Sequence, residues 1–248
     1  MRLFAAIRPD ARALDHLAGA LVGAGVDTGG AHGGPPPLRV VPAEQQHVTL
    51  AFYGEVPGGA VDDLAAALRA ALAPGGSGGP GGPGDAGGPH SAVPGSAVPG
   101  SAVLAGAGVF SSRVLWVGVR DEPAGLVRSL AIAAADAAGN AGLRLPDEDR
   151  PRFRAHLTVA RLSPRGASHA AGRERRAGLD RRDSHDVRVD RRSAARGVVR
   201  DALRAPAHAL AVYLGPSWPV REVELVASRL GEGPGGGPAH EVLVRVAL

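Results

Sequence analysis

His47-Val48-Thr49-Leu50-Ala51-Phe52-Tyr53-Gly54 and, roughly a hundred residues later, His156-Leu157-Thr158-Val159-Ala160 decide how this chain is read. Threonine occurs only at positions 28, 49 and 158, and two of these three stand two residues after a histidine. In both copies an aliphatic residue and an alanine follow. So matched a pair in a Thr-poor chain points to one functional unit used twice. A single H-x-T would read as a core histidine with its hydrogen bonds satisfied. Each copy reads as a β-strand, in which side chains alternate between faces. His and Thr at i and i+2 then share one face, while Val48 and Leu50, or Leu157 and Val159, pack on the other. Two such strands side by side would gather two imidazoles and two hydroxyls around one cavity.

Working outward, Leu3–Ile7 reads as a short buried strand, followed by a helix capped by Asp10 with Leu14, Leu17, Leu21 and Val22 as its apolar positions. Leu38–Val41 is a candidate strand, and Ala60–Leu72 a helix with Val61, Leu64 and Leu68 on one stripe. Val103–Phe110 and Arg113–Val119, parted by two serines, suit a hairpin. Pro123–Ala138 is an expected helix and Arg154–Leu162 a strand. Val198–Tyr213 is an expected helix disturbed by Pro206, and Val220–Ser228 and Glu241–Ala247 are closing strands. Strands and helices are mixed, and neighbouring strands are joined by short turns. The expected class is therefore α+β with antiparallel sheet, rather than a doubly wound parallel sheet.

Residues 74–100, with a repeated SAVPG unit, are of low complexity and read as a flexible insertion. Residues 164–196, dense in Arg and Asp, read as a second one. The Arg-rich run from Arg173 to Arg204 is read as a solvated, mixed-charge surface before it is read as a grip on an RNA backbone. The 248 residues suffice for one large domain or two small lobes. With aromatics at 3%, the core must be built from Ala, Val and Leu. All 28 basic side chains are arginine, and the formal charge of +4 is too small to argue for nucleic acid by itself. Cysteine is absent, which excludes thiolate nucleophiles and Cys-ligated zinc. The apolar run at the N-terminus is too short for a signal core or a membrane span, so a soluble cytoplasmic protein is expected.

The paired His and Thr side chains suit phosphoryl chemistry without a metal or other cofactor. A neutral imidazole can take a proton from an attacking water, and an imidazolium can give one to the departing oxygen. Thr49 and Thr158 can donate to non-bridging phosphate oxygens as charge builds there. A 2',3'-cyclic phosphate, which opens with one acid and one base, fits this set. No HExxH, Walker or acidic metal spacing occurs.

At these residues the chain resembles the two-histidine (2H) phosphoesterase superfamily, and within it the RNA 2',3'-cyclic phosphodiesterases, also known as 2'-5' RNA ligases. The likeness extends to Met1–Ile7, Gly108–Phe110, Arg113–Val119, Arg152–Arg161 and Val223–Ser228. Ala155 departs from the proline that commonly precedes the second histidine. The resemblance implies one domain over residues 1–248, with two pseudo-symmetric lobes of antiparallel sheet and outer helices around a central groove. It implies hydrolysis of an RNA-terminal or nucleoside 2',3'-cyclic phosphate to a 2'-phosphomonoester, with His47 as proton donor and His156 as acceptor. The two copies alone do not orient the pair. A catalytically silent RNA- or phosphate-binding module and the reverse ligase reaction are the alternatives. A monomer is expected, because the site lies within one chain.

Arg161 closes the second motif and is a candidate phosphate-binding residue: strict alternation turns it away from His156, where it would serve a structural salt bridge, and strand twist or a bulge at the edge would aim it at phosphate. Phe52, in the matching place of the first motif, and Trp116 are expected in the core, and Tyr53 in either setting. The other seven histidines, His240 among them, show no ligand spacing and receive no function.

Overall fold

The structure, a computed structural model, describes residues 1–26, 38–73, 100–145, 153–163, 203–233 and 237–248. Of the two expected insertions, 164–196 lies outside these residues, as does 74–100 apart from Gly100, which is buried. The elements are β1 (Arg2–Ile7), α1 (Ala11–Gly23), β2 (Leu38–Val40), β3 (Val48–Glu55), α2 (Val61–Leu72), β4 (Ser101–Phe110), β5 (Val114–Glu122), α3 (Leu126–Asn140), β6 (His156–Leu162), β7 (Leu214–Pro219), β8 (Glu222–Arg229) and β9 (Ala239–Ala247). A helical run at 203–209 holds Pro206 and leads into a 3-10 turn at Leu210–Val212. The strand that follows, β7, has no counterpart in the sequence reading. Its Gly215, Pro216 and Pro219 argue against a central strand, and it lies on the edge of the sheet, where proline is tolerated.

All ladders are antiparallel, in the order β7-β4-β5-β6-β3-β1-β8-β9, with β2 on β6. The class is α+β, as the pattern implied. The β4–β5 hairpin turns over residues 111–113, between the paired Phe110 and Val114; Ser111 and Ser112 take positive φ of 47° and 52°, and the Arg113 N–H donates to the Phe110 carbonyl at 2.9 Å. The Asp10 carboxylate accepts from the Ala13 N–H at 2.8 Å and caps α1, as expected. Asp121, at the end of β5, caps α3 by accepting from the Val127 N–H at 2.6 Å.

The sheet consists of two half-sheets that meet at a narrow join. Between β3 and β6 a single residue pair is in register, Val48 with Leu157, the middle residues of the two H-x-T motifs. Beyond it β3 leaves β6 and β2 takes up the rest of that edge, with Val40 opposite Ala160 and Arg39 opposite Arg161. The helices cross over this join. Helix α1 follows β1 but packs on β7 and β4 of the other half, and α3 follows β5 but packs on β3. Val48 and Leu157 are fully buried in the main core with Leu3, Ile7, Leu17, Leu64 and Leu225. No helix among the described residues is long and apolar enough to cross a membrane.

Because Leu157 closes the join, Leu157→Ala is expected to cost about 2–5 kcal/mol of stability, measured by denaturant unfolding. A loss below about 1 kcal/mol would show that the join is not a packed part of the core.

Candidate active site

Opposed residues in an antiparallel pair project to the same face. Continuing the Val48–Leu157 register one residue each way sets His47 across from Thr158 and Thr49 across from His156. The four side chains therefore share the face opposite the buried Val48–Leu157 pair, crossed head to tail, and all four line one cavity of about 320 Å³.

The two imidazoles are held alike. Nδ1 of His47 lies 2.7 Å from the Gln45 carbonyl, and Nδ1 of His156 lies 2.8 Å from the Arg154 carbonyl, two residues upstream in both cases. A carbonyl oxygen only accepts, so each Nδ1 carries the hydrogen and donates. In the neutral ring Nε2 is then left as the basic nitrogen. Each ring also rests on aromatic neighbours. Phe4 stacks on His47 at 4.6 Å, and Phe110 meets His156 edge-on at 4.9 Å. Phe110 in turn stacks on Trp116, which is buried as expected. Trp116 lies against Gly108, where a Cβ would come within 2.3 Å of its ring. Tyr53 is a core residue, its hydroxyl donating to the Ala134 carbonyl at 2.9 Å.

Both motif strands are bulged one residue after the threonine. Along β1 the register steps from Ala5–Ala51 to Ala6–Thr49, leaving out Leu50. Along β5 it steps from Leu115–Ala160 to Trp116–Thr158, leaving out Val159. The aliphatic residue and the alanine of each repeat are thus buried in succession, and the alternation changes phase. Five residues after each histidine, Phe52 and Arg161 return to the histidine face. Strict alternation, which turned Arg161 away, fails at this bulge, and Arg161 lines the cavity of the histidines. Phe52, expected in the core, is half-buried and lines a second cavity of about 370 Å³. That cavity shares Thr49 and His156 with the first, and its walls include Phe110, Phe153 and Ile132, with Arg128 and Arg154.

The first cavity also holds Arg39, Gln45 and His240, and none of its described lining residues is an aspartate or glutamate. Such a surface of donors and cations favours an anion. Among the described residues no group of three or more His, Cys, Asp or Glu is placed to hold a metal ion. Burial, chiefly, pushes His47 down to about 4. His240, Arg8 and Arg161 push the same way, against the hydrogen bond to Gln45. The free protein therefore carries His47 neutral at pH 7.

Sequence reasoning missed His240, Gln45, Arg39 and Arg8. None belongs to the repeat: the pairing of β9 and of β2 brings His240 and Arg39 to the cavity, and the 3-10 turn at Ala43–Gln45 brings Gln45.

No protein-family model matches the sequence, and no curated protein is significantly similar to it. Solved structures are similar. TT0787 of Thermus thermophilus is 23% identical, with a TM-score of 0.54, over 100% of this chain and 98% of that one. E. coli LigT complexed with 3'-AMP is 21% identical, with a TM-score of 0.55, over 100% and 97%. A phosphoesterase is 21% identical, with a TM-score of 0.52, over 100% and 98%. This chain has their fold. The antiparallel α+β arrangement implied by the H-x-T resemblance is thereby present in full-length structural relatives.

His47 is expected to titrate near pH 4 in an NMR series on its ring signals. Between pH 6.5 and 4 the unfolded chain binds this proton before the folded one, so stability falls as pH drops through that window. A midpoint at or above 6.5 would contradict the buried, cation-flanked setting.

Proposed function

We propose that this protein is a two-histidine phosphodiesterase that opens 2',3'-cyclic phosphates of nucleosides or RNA ends to 2'-phosphomonoesters. In this reading residues 1–248 act as one domain, and the two half-sheets are its lobes. The observation that carries it is the crossed His47/Thr158 and Thr49/His156 arrangement around one cavity free of carboxylates among its described lining residues. With both Nδ1 atoms tied to carbonyls, two Nε2 atoms remain for proton transfer.

The step balances within that set. One Nε2 takes a proton from water as the water oxygen bonds to phosphorus. The bond from phosphorus to the 3'-oxygen breaks, and the second imidazolium protonates that oxygen. Thr49, Thr158 and Arg161 hold the non-bridging oxygens, where negative charge builds. The second cavity supports a nucleotide substrate, since it adjoins the phosphate site at Thr49 and His156 and offers aromatic faces to a base. Among proteins of this fold, E. coli LigT has been crystallised with 3'-AMP, with ATP and with NADP+.

The family likeness makes His47 the donor and His156 the base. The depressed proton affinity of His47 favours a second reading with these roles exchanged, because a neutral ring is ready to accept. For His47 to donate, the anionic phosphate must raise its proton affinity on binding. A cyclic substrate with sulfur at the 3' position separates the two, because a thiolate leaves without an acid. The donor's alanine variant regains turnover on that substrate, and the base's does not.

With a nucleoside 2',3'-cyclic phosphate and EDTA present, wild-type protein is expected to form the 2'-phosphate. His47→Ala and His156→Ala are each expected to lower kcat by about 10²- to 10⁴-fold. Binding without turnover by the wild type would instead mark a silent phosphate-binding module. Phe153→Ala is expected to raise KM several-fold and leave kcat largely intact. An unchanged KM would remove the base from the second cavity.

A further inference from the structure

His240 stands on β9, at the outer edge of the sheet, paired with Ser228 of β8. Its ring nevertheless reaches the reaction cavity, 5.1 Å from the His47 ring at 74° and 5.2 Å from the Phe4 ring at 71°. Gln45 ties His47 to the segment that leads into β9. The Gln45 carbonyl accepts from His47 at 2.7 Å, and the Gln45 side-chain amide donates to the Pro238 carbonyl at 3.1 Å, just before β9. Packing alone does not account for a histidine at this place. Across the join, Phe110 meets His156 edge-on at 4.9 Å and 82°, so a hydrocarbon ring suffices to buttress a catalytic imidazole. His240 lines a cavity of donors; its Nδ1 is sealed from solvent with no hydrogen-bond partner among the described residues, which leaves Nε2 as the nitrogen that can meet a bound group. With Arg39, Arg161 and two threonines and no carboxylate among its described lining residues, this cavity suits an acceptor-rich anion.

We infer that His240 is a third histidine of the site, which contacts the bound phosphoryl group directly from the β9 side while His47 and His156 move protons. This rests on the phosphate reading of the cavity proposed above. Burial, with Arg8 and Arg161 close by, lowers the proton affinity of His240, so the ring serves as a neutral donor through one N–H. The role is specific to one half of the molecule, because the matching contact on His156 is made by phenylalanine.

The test uses inorganic phosphate as the probe and the full chain. In wild-type protein, phosphate is expected to shift the ring nitrogen signals of His240 together with those of His47. His240→Phe keeps an aromatic ring and removes both nitrogens. It is expected to weaken phosphate binding by about 10- to 100-fold, with the melting temperature and the His156 ring signals unchanged. His240→Asn, which restores a donor, is expected to recover part of that loss. Wild-type affinity in His240→Phe, or His240 signals that ignore phosphate, would overturn the inference. The wild-type measurement stands even where a variant fails to fold. Phosphate contact at His240 without turnover of a cyclic phosphate would sink the enzyme reading and leave His240 in place. Turnover with His240→Phe unaffected would do the reverse.

Discussion

One cross-strand pair, Val48 with Leu157, carries the arrangement. Both side chains are fully buried, so the residues on either side of each must face the other way. A slip of one residue in either strand would send a histidine and a threonine into the core and an aliphatic residue into the cavity. The apolar core thereby fixes the polar site. Burial sets the register, the register sets the crossed His–Thr pairs, and the upstream carbonyls set which ring nitrogens are left for chemistry.

The frame is nearly two-fold, but its chemistry is not. Both motif strands are bulged at the same step, and both return a side chain to the site five residues after the histidine. In one half that side chain is Phe52, in the other Arg161. The ring packed edge-on against the motif imidazole is His240 in one half and Phe110 in the other. Two chemically distinct cavities result, one of cations and donors and one largely of aromatic and aliphatic walls, joined at Thr49 and His156. A symmetric scaffold with unequal fillings suits a substrate with an anionic centre and an apolar, flat appendage. It also gives the two histidines unequal surroundings, with Phe4 and His240 around one ring and Phe110 and Trp116 around the other.

Much of this was legible in the amino-acid order because the two strands obey local rules. The alternation of apolar and polar residues at 47–54 and 156–160 predicted strands, their shared face and the four groups on it. Asp10 announced a helix start, and two serines announced a hairpin. The failures have physical causes. The bulges that redirect Phe52 and Arg161 are properties of pairing with β1 and β5, not of β3 and β6 alone. Edge strand β7, rich in Gly and Pro, lacks a strand signature because its ladder is needed on one side only. His240 reaches the site because β8, the hairpin partner of β9, pairs with β1 at the other end of the chain, a long-range pairing that leaves no mark near the histidine in sequence. Likewise the crossing of α1 and α3 between half-sheets is set by packing and not by the composition of either helix.

The central claim is that two distant strands place their histidines around one phosphorus atom. A crystal structure of the protein with a nucleoside 2'-phosphate bound tests this most directly. The account predicts a phosphoryl group within hydrogen-bond distance of Nε2 of both His47 and His156, with Thr49 and Thr158 on its oxygens. A phosphate held by only one of the two histidines, or bound away from the join, would contradict it.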